Sequence, residues 1–215
     1  MSLKVLLEDG RGGGNLANFD ELGALLVTDR PEPPTITDEA KTTFRQFFTD
    51  TGSVTGVSDM RVDGSVTSQD FFIGASSAFD TYIMSISFEI SDAGAVLSEF
   101  GNIGALVNGV RFFYEATDGV IDIHPGMLSN WDFVRLCQGN PTFGDGASAF
   151  QAPNVVFLSE AYIPILNFQQ IFGYRWGLAL KGGTNQRLVL RVRDDVTGVD
   201  SFNAIAYGFL RRRIE

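Results

Sequence analysis

The stretch "TYIMSISFEI", Thr81 to Ile90, decides how the rest of the chain is read. Tyr82, Met84, Ile86, Phe88 and Ile90 alternate with Thr81, Ile83, Ser85, Ser87 and Glu89. A period of two sustained over that length is a strand with one face turned to a core. The same period recurs in "FGYRWGLAL", where Phe172, Tyr174, Trp176, Leu178 and Leu180 share a face. In "RLVLRVR" it sets Leu188, Leu190 and Val192 against Arg187, Val189, Arg191 and Arg193, and "KGGTNQ" between the two reads as a hairpin loop.

Working outward, strands are expected at Asp70–Ile73, Val110–Glu115, Val155–Ser159 and Phe202–Leu210, the last reached through "DDVTGVD". Short strands separated by Gly, Asn and Asp turns predict a mainly β protein, an antiparallel β-sandwich of jelly-roll type rather than a βαβ fold. Helical signal is thin. "TDEAKTTFRQFF" sets Ala40, Phe44, Phe47 and Phe48 at helical offsets but suits a strand as well, and "MLSNWDFVRLC" has room for one or two turns after Pro125. Nineteen phenylalanines supply large apolar area to such a core.

The N-terminal region is built differently. "LLEDGRGGGNLANFDELGALLV", Leu6 to Val27, carries glycines at 10, 12, 13 and 14, and "RPEPPT" follows, with Pro31, Pro33 and Pro34 imposing extended backbone. A dinucleotide loop requires G-x-G-x-x-G, and here Gly10 and Gly12 are followed by Asn15 at the third glycine position; no Gly-Lys-Ser/Thr follows either. The segment therefore reads as an arm: a short strand "KVLLE", a glycine bend and a second apolar run "GALLV", too small to fold alone. Residues 1–34 form this extended anchoring arm and 35–215 the sandwich body.

Composition narrows the function. The formal charge of −10 disfavours nucleic acid as a partner, and the run Arg211, Arg212, Arg213 reads as a strand end or subunit contact. Thirteen arginines against three lysines is a bias also found at subunit interfaces. No apolar run approaches the ~18 residues of a membrane span, so a soluble chain without membrane association is expected. The single cysteine, Cys137, excludes an intrachain disulfide and reads as a buried thiol. The single histidine, His124 in "DIHPG", has no nucleophile motif around it and reads as structural. Asp118 with Asp122, and Asp194 with Asp195 and Asp200, are acids that could approach a calcium ion, but neither group matches a twelve-residue calcium loop, and solvated turn acids are the favoured reading. The expectation is a protein without catalytic residues, cofactor or metal.

The arm "VLLEDGRGGGNLANFDELGALLV", the segment "FRQFFTDTGSVTGVSDMRVDGS" and the body stretches "FFIGASSAFDTYIMSISFEISDAG" and "FGNIGALVNGVRFFYE" resemble virion structural proteins of tailed bacteriophages. The resemblance implies a location in the virion and a non-enzymatic role as capsid decoration, head fibre, or neck or tail accessory. It implies a homo-oligomer whose arm docks on other virion proteins, such as capsid or neck and tail subunits. The anchoring residues would be Val5, Leu6, Leu7, Gly10, Gly12, Gly13, Gly14, Leu25, Leu26 and Val27, with Arg211, Arg212 and Arg213 at a subunit interface. The rival expectation is a receptor- or carbohydrate-binding module of a phage tail, in which an exposed Trp131, Trp176 or Tyr174 stacks on a sugar.

Overall fold

The computed structural model describes residues 4–7, 15–19, 25–26, 41–52, 58–138, 155–158, 161–169 and 176–212. The chain divides into two compact units, Met1–Asp38 and Glu39–Glu215. In the first, β1 (Lys4–Leu7), β2 (Asn15–Phe19) and β3 (Leu25–Leu26) form a three-stranded antiparallel sheet in that order. β2 was not expected from the sequence; its register pairs Val5 with Ala17 and Leu6 with Leu16. Gly10, Gly12, Gly13, Gly14 and Val27 lie outside the described residues.

The second unit is an antiparallel β-sandwich. One sheet runs β4 (Lys41–Phe47), β13 (Ser201–Arg212), β6 (Phe79–Ser91), β10 (Ala161–Asn167) and β9 (Val155–Leu158), with the short β11 (Leu178–Leu180) also on β6. The other runs β5 (Gln69–Gly74), β12 (Arg187–Val192), β7 (Val110–Ala116) and β8 (Gly119–Met127). The pairs β4·β13, β5·β12, β6·β10 and β7·β8 are all antiparallel. First pairs with last, and so inward to the centre, as in one long hairpin rolled into two sheets. This is the jelly-roll connectivity that the strand spacing predicts.

β4 is the segment whose phenylalanines also fitted helical offsets; pairing with β13 along its whole length makes it a strand. The "KGGTNQ" loop is not a hairpin. β11 pairs with β6 and β12 with β5 and β7, so the chain crosses between sheets there. Turn residues specify a reversal but not which strands pair across it, and Leu180 and Leu188 both enter the core, from opposite sheets.

The alternation in β6 also needs correction. Ile86, Phe88 and Ile90 are buried as expected, but nearer the N-terminus the buried residues are Thr81 and Ile83, not Tyr82 and Met84. The pairing with β13 slips between Tyr207 and Gly208, so that Tyr207 faces Ser85 and Gly208 faces Ile83, leaving Met84 as the extra residue of a bulge. One inserted residue exchanges the two faces. Tyr82 consequently stacks on Phe209 on the outer face, ring centroids 4.8 Å apart and 7° from parallel. Trp176, expected in the core, packs edge-on against the same Phe209 at 5.9 Å. Phe172 and Tyr174 lie outside the described residues.

The outer face of the smaller sheet uses three of the thirteen arginines. Arg191 grips Asp70 with two hydrogen bonds of 2.6 and 2.9 Å, Arg111 grips Asp122 at 2.6 and 3.0 Å, and Arg187 pairs with Glu115. Beneath them, Arg111 and Arg191 lie over the Phe113 ring at 4.6 and 5.2 Å, and Arg187 over Phe72 at 5.0 Å. Planar guanidinium can grip a carboxylate with two hydrogen bonds while stacking on a ring, which a lysine ammonium cannot. These three of the thirteen arginines thus have partners within the chain.

Gly208 marks the bulge chemically: a Cβ there would collide with the carbonyl oxygen of Tyr82. At Gly74 the nearest atom to such a Cβ is a Phe72 ring carbon at 3.7 Å, an ordinary contact. Gly208→Ala is expected to destabilise the fold by about 1–3 kcal/mol in urea unfolding, as overpacking does, with Gly74→Ala close to wild type.

Candidate functional site at the long-loop end

In an antiparallel roll successive connections fall at alternate ends, and this chain places its length at one of them. The β4–β5 (48–68), β6–β7 (92–109) and β12–β13 (193–200) connections gather there with the segment after β8. Backbone bonds tie them together: Met60 N–H to Phe202 O at 2.9 Å, Gly64 N–H to Asp194 O at 2.9 Å, Val196 N–H to Val62 O at 3.0 Å and Leu106 N–H to Leu128 O at 3.2 Å. The opposite end is turned by the short β5–β6 (75–78) and β7–β8 (117–118) links together with the crossing loop of β11. Long loops held on a rigid scaffold are where binding residues concentrate.

The long-loop end carries the helix α1 (Asn130–Gln138). The sequence left room for one or two turns here; the structure makes a full helix because its start is capped. Asp132 Oδ2 accepts the N–H groups of Leu128 and Ser129 and the Ser129 hydroxyl, each at 2.9 Å, while Asp132 N–H donates to Ser129 O at 3.1 Å. The N–H groups of the first helical residues are met from the β6–β7 loop, Asn130 donating to Glu99 O at 2.8 Å and Trp131 to Leu97 O at 2.7 Å. One face of α1 buries Phe133, Val134, Leu136 and Cys137 in the core.

Phe133 joins an aromatic cluster at this end. Its ring lies 5.0 Å from Phe88 of β6, 6.0 Å from Phe100 of the β6–β7 loop and 6.2 Å from Phe202 of β13. Phe88 meets Phe112 of the other sheet edge-on at 6.0 Å, and Phe100 meets Phe202 at 5.2 Å and 90°. Edge-to-face pairs contribute roughly 0.5–1.5 kcal/mol each beyond their burial.

Buried polar groups then fix the loops. Asn130, essentially buried, accepts the Gly101 N–H at 3.3 Å and donates to Val96 O at 3.4 Å. Asp92 accepts the backbone and side-chain amides of Asn102, each at 2.9 Å. Gly101, at φ +68°, passes so close to Asp92 that a Cβ would lie 2.6 Å from its carboxylate. Buried acceptors with two donors each are costly to disturb.

The acids singled out in the sequence are dispersed rather than brought together. Asp194 is buried and accepts the N–H groups of Asn108, at 2.6 Å, and Gly109. Asp195 accepts the Thr197 N–H and hydroxyl of its own turn at 2.9 and 2.6 Å, and Asp200 accepts the Ala93 N–H at 3.3 Å. The turn-acid reading therefore holds for Asp195 and for the exposed Asp118, but fails for Asp194, a loop anchor, and for Asp122, the partner of Arg111. Spacing along the chain does not report which way a carboxylate turns.

Cys137 is buried, and desolvation pushes its thiol well above the usual range. His124 Nδ1 accepts the Gly126 N–H at 3.2 Å, the structural role expected of it. Its imidazole is held below the usual value by burial first; Asp132 opposes that shift and Arg135 adds to it. Arg211 and Arg212 end β13 beside Asp80 and Phe79 of β6, away from the long loops, and Arg213 lies outside the described residues.

Trp131, which the sequence left undecided between core and surface, is 46% exposed, and its N–H donates to Leu97 O at 2.7 Å. Val96, Leu97, Val107 and Leu128 are exposed as well; Leu97 lies in the segment bonded to Trp131, and Leu128 accepts the Leu106 N–H. The four exposed aliphatic residues carry no motif in the sequence. A scan against models of known protein families matches none, and a search of curated proteins finds no significant relative.

Two outcomes are expected. Phe133→Ala should cost about 3–5 kcal/mol in chemical denaturation, because it leaves a cavity between both sheets and α1. As pH falls below the ordinary imidazole value of 6.5, the unfolded chain takes up the His124 proton before the folded one, so the stability present above 6.5 is lost. His124→Gln should flatten that part of the stability profile measured by urea unfolding.

Proposed function

We propose that this chain is a non-enzymatic structural component of a phage particle, anchored through its N-terminal unit and self-associating through the sandwich body. The observation that carries the reading is the division into two unequal units. Among its described residues the smaller holds a three-stranded sheet of short strands, in which β1 includes Val5, Leu6 and Leu7 and β3 Leu25 and Leu26. A sheet of that size has little core of its own and gains stability by packing on another surface. The larger unit is a jelly roll, an architecture that recurs in viral capsid and lectin domains, and this support is by analogy of fold. The resemblance of the arm and body segments to phage virion proteins points the same way, to capsid decoration, a head fibre, or a neck or tail accessory.

Deleting Met1–Arg30 is expected to leave the thermal unfolding of the body essentially unchanged while abolishing binding to particles that lack the protein, measured by co-sedimentation. Truncated protein that still decorates particles would rule out the N-terminal anchor. Immunogold labelling that leaves the particles bare would remove the virion assignment itself.

A further inference from the structure

We propose that His124 is an acid-operated latch: its neutral imidazole holds the C-terminal end of β8 against the sandwich, and protonation releases that end together with the start of α1. The latch lies within the body and does not depend on the virion assignment.

β8 is the irregular strand of its sheet. Val110 faces Met127, Phe112 faces His124 and Phe113 faces Asp122, so β8 carries one residue more than β7 on each side of His124. Two bulges this close interrupt the ladder, and the backbone of Pro125 and Gly126 turns to side chains instead. His124 Nδ1 accepts the Gly126 N–H at 3.2 Å, while Arg193 Nη2 donates to Pro125 O at 2.7 Å and to Asn108 O of the β6–β7 connection. From there β8 runs directly into the cap of α1, where the Leu128 and Ser129 N–H groups meet Asp132. The Gly126 bond thus sits between an interrupted ladder and the helix that carries Trp131.

Only the neutral ring can make that bond. An imidazole whose Nδ1 accepts has its proton on Nε2; a second proton turns Nδ1 into a donor that faces the Gly126 N–H. A positive charge is also poorly placed here. Burial is the largest penalty on charging the ring; Asp132 of α1 offsets part of it and Arg135 of α1 adds to it. Arg193 Nη2 reaches the same segment, 2.9 Å from where a Cβ on Gly126 would stand. Other carboxylates of this region are engaged, Asp122 by Arg111 and Asp194 by the Asn108 and Gly109 N–H groups. In the released segment the imidazole meets water and takes up the proton first, so the latch holds above pH 6.5 and weakens as pH falls below it. His124 is the single histidine, so no second imidazole titrates in that window.

The test follows the full chain by NMR from about pH 7.5 down to about pH 5, the range in which an imidazole changes charge. The one imidazole should titrate below 6.5. Amide exchange at Gly126, Leu128 and Ser129, corrected for its intrinsic pH dependence, should rise by up to roughly tenfold for each pH unit by which the imidazole is depressed. The Leu188 and Leu190 amides of β12 should keep their protection. His124→Gln, which offers Gly126 a carbonyl acceptor and cannot ionise, should show no such rise, and His124→Ala should exchange fast throughout. An imidazole that titrates at or above 6.5 would overturn the proposal, as would exchange at Gly126 that ignores pH in the wild type. A rise retained by His124→Gln would assign the effect to carboxylates instead, and a rise shared equally by β12 would make it global unfolding; either overturns the latch. The wild-type titration and exchange decide the matter even if neither variant folds.

Discussion

The contact on which this structure depends is the edge-to-face packing of Phe88, Phe100, Phe112, Phe133 and Phe202. Phe88 and Phe202 come from the larger sheet and Phe112 from the smaller, so the cluster sets how the two sheets meet at this end. Phe100 and Phe133 add a loop and the helix to the same cluster. Ring pairs of this kind are directional, and their geometry restricts the path of each connecting segment. In the same segments, Asp92 and Asn130 accept the backbone amides of Asn102 and Gly101. The polar network thus holds the loop and helix that the rings also hold.

The two outer faces of the sandwich solve different problems. On the smaller sheet, carboxylate-paired arginines lie over Phe72 and Phe113, so that apolar side chains facing outward are covered without a further layer of structure. On the larger sheet, the bulge at Met84 turns Tyr82 outward to stack on Phe209, with Trp176 against its edge. A bulge is a small insertion with a large consequence, because every residue beyond it changes face. The close backbone approach at Gly208 is part of the same feature.

These features separate a rigid scaffold from the surfaces free to act. The long loops are held by buried acceptors and by the aromatic cluster, which makes the loop end a preorganised surface rather than a set of independent strands of chain. Trp131 is exposed there while Phe133, two positions on, is buried; the helical repeat lets one short element both anchor and present.

The amino-acid sequence alone determined the β class, most of the strands and the jelly-roll expectation, because period-two alternation in segments such as Ser85–Ile90 and Arg187–Arg193 is a local property of an amphipathic strand. It also identified Cys137 as a buried thiol, from the tendency of free cysteines to sit inside. Tertiary structure alone decided which strands pair across "KGGTNQ", where β6 changes face, that Asp194 turns inward while Asp195 turns out, and that Trp131 stands exposed. Each of these depends on segments far apart in the chain meeting in one place, and a pattern confined to neighbouring residues holds no record of such meetings.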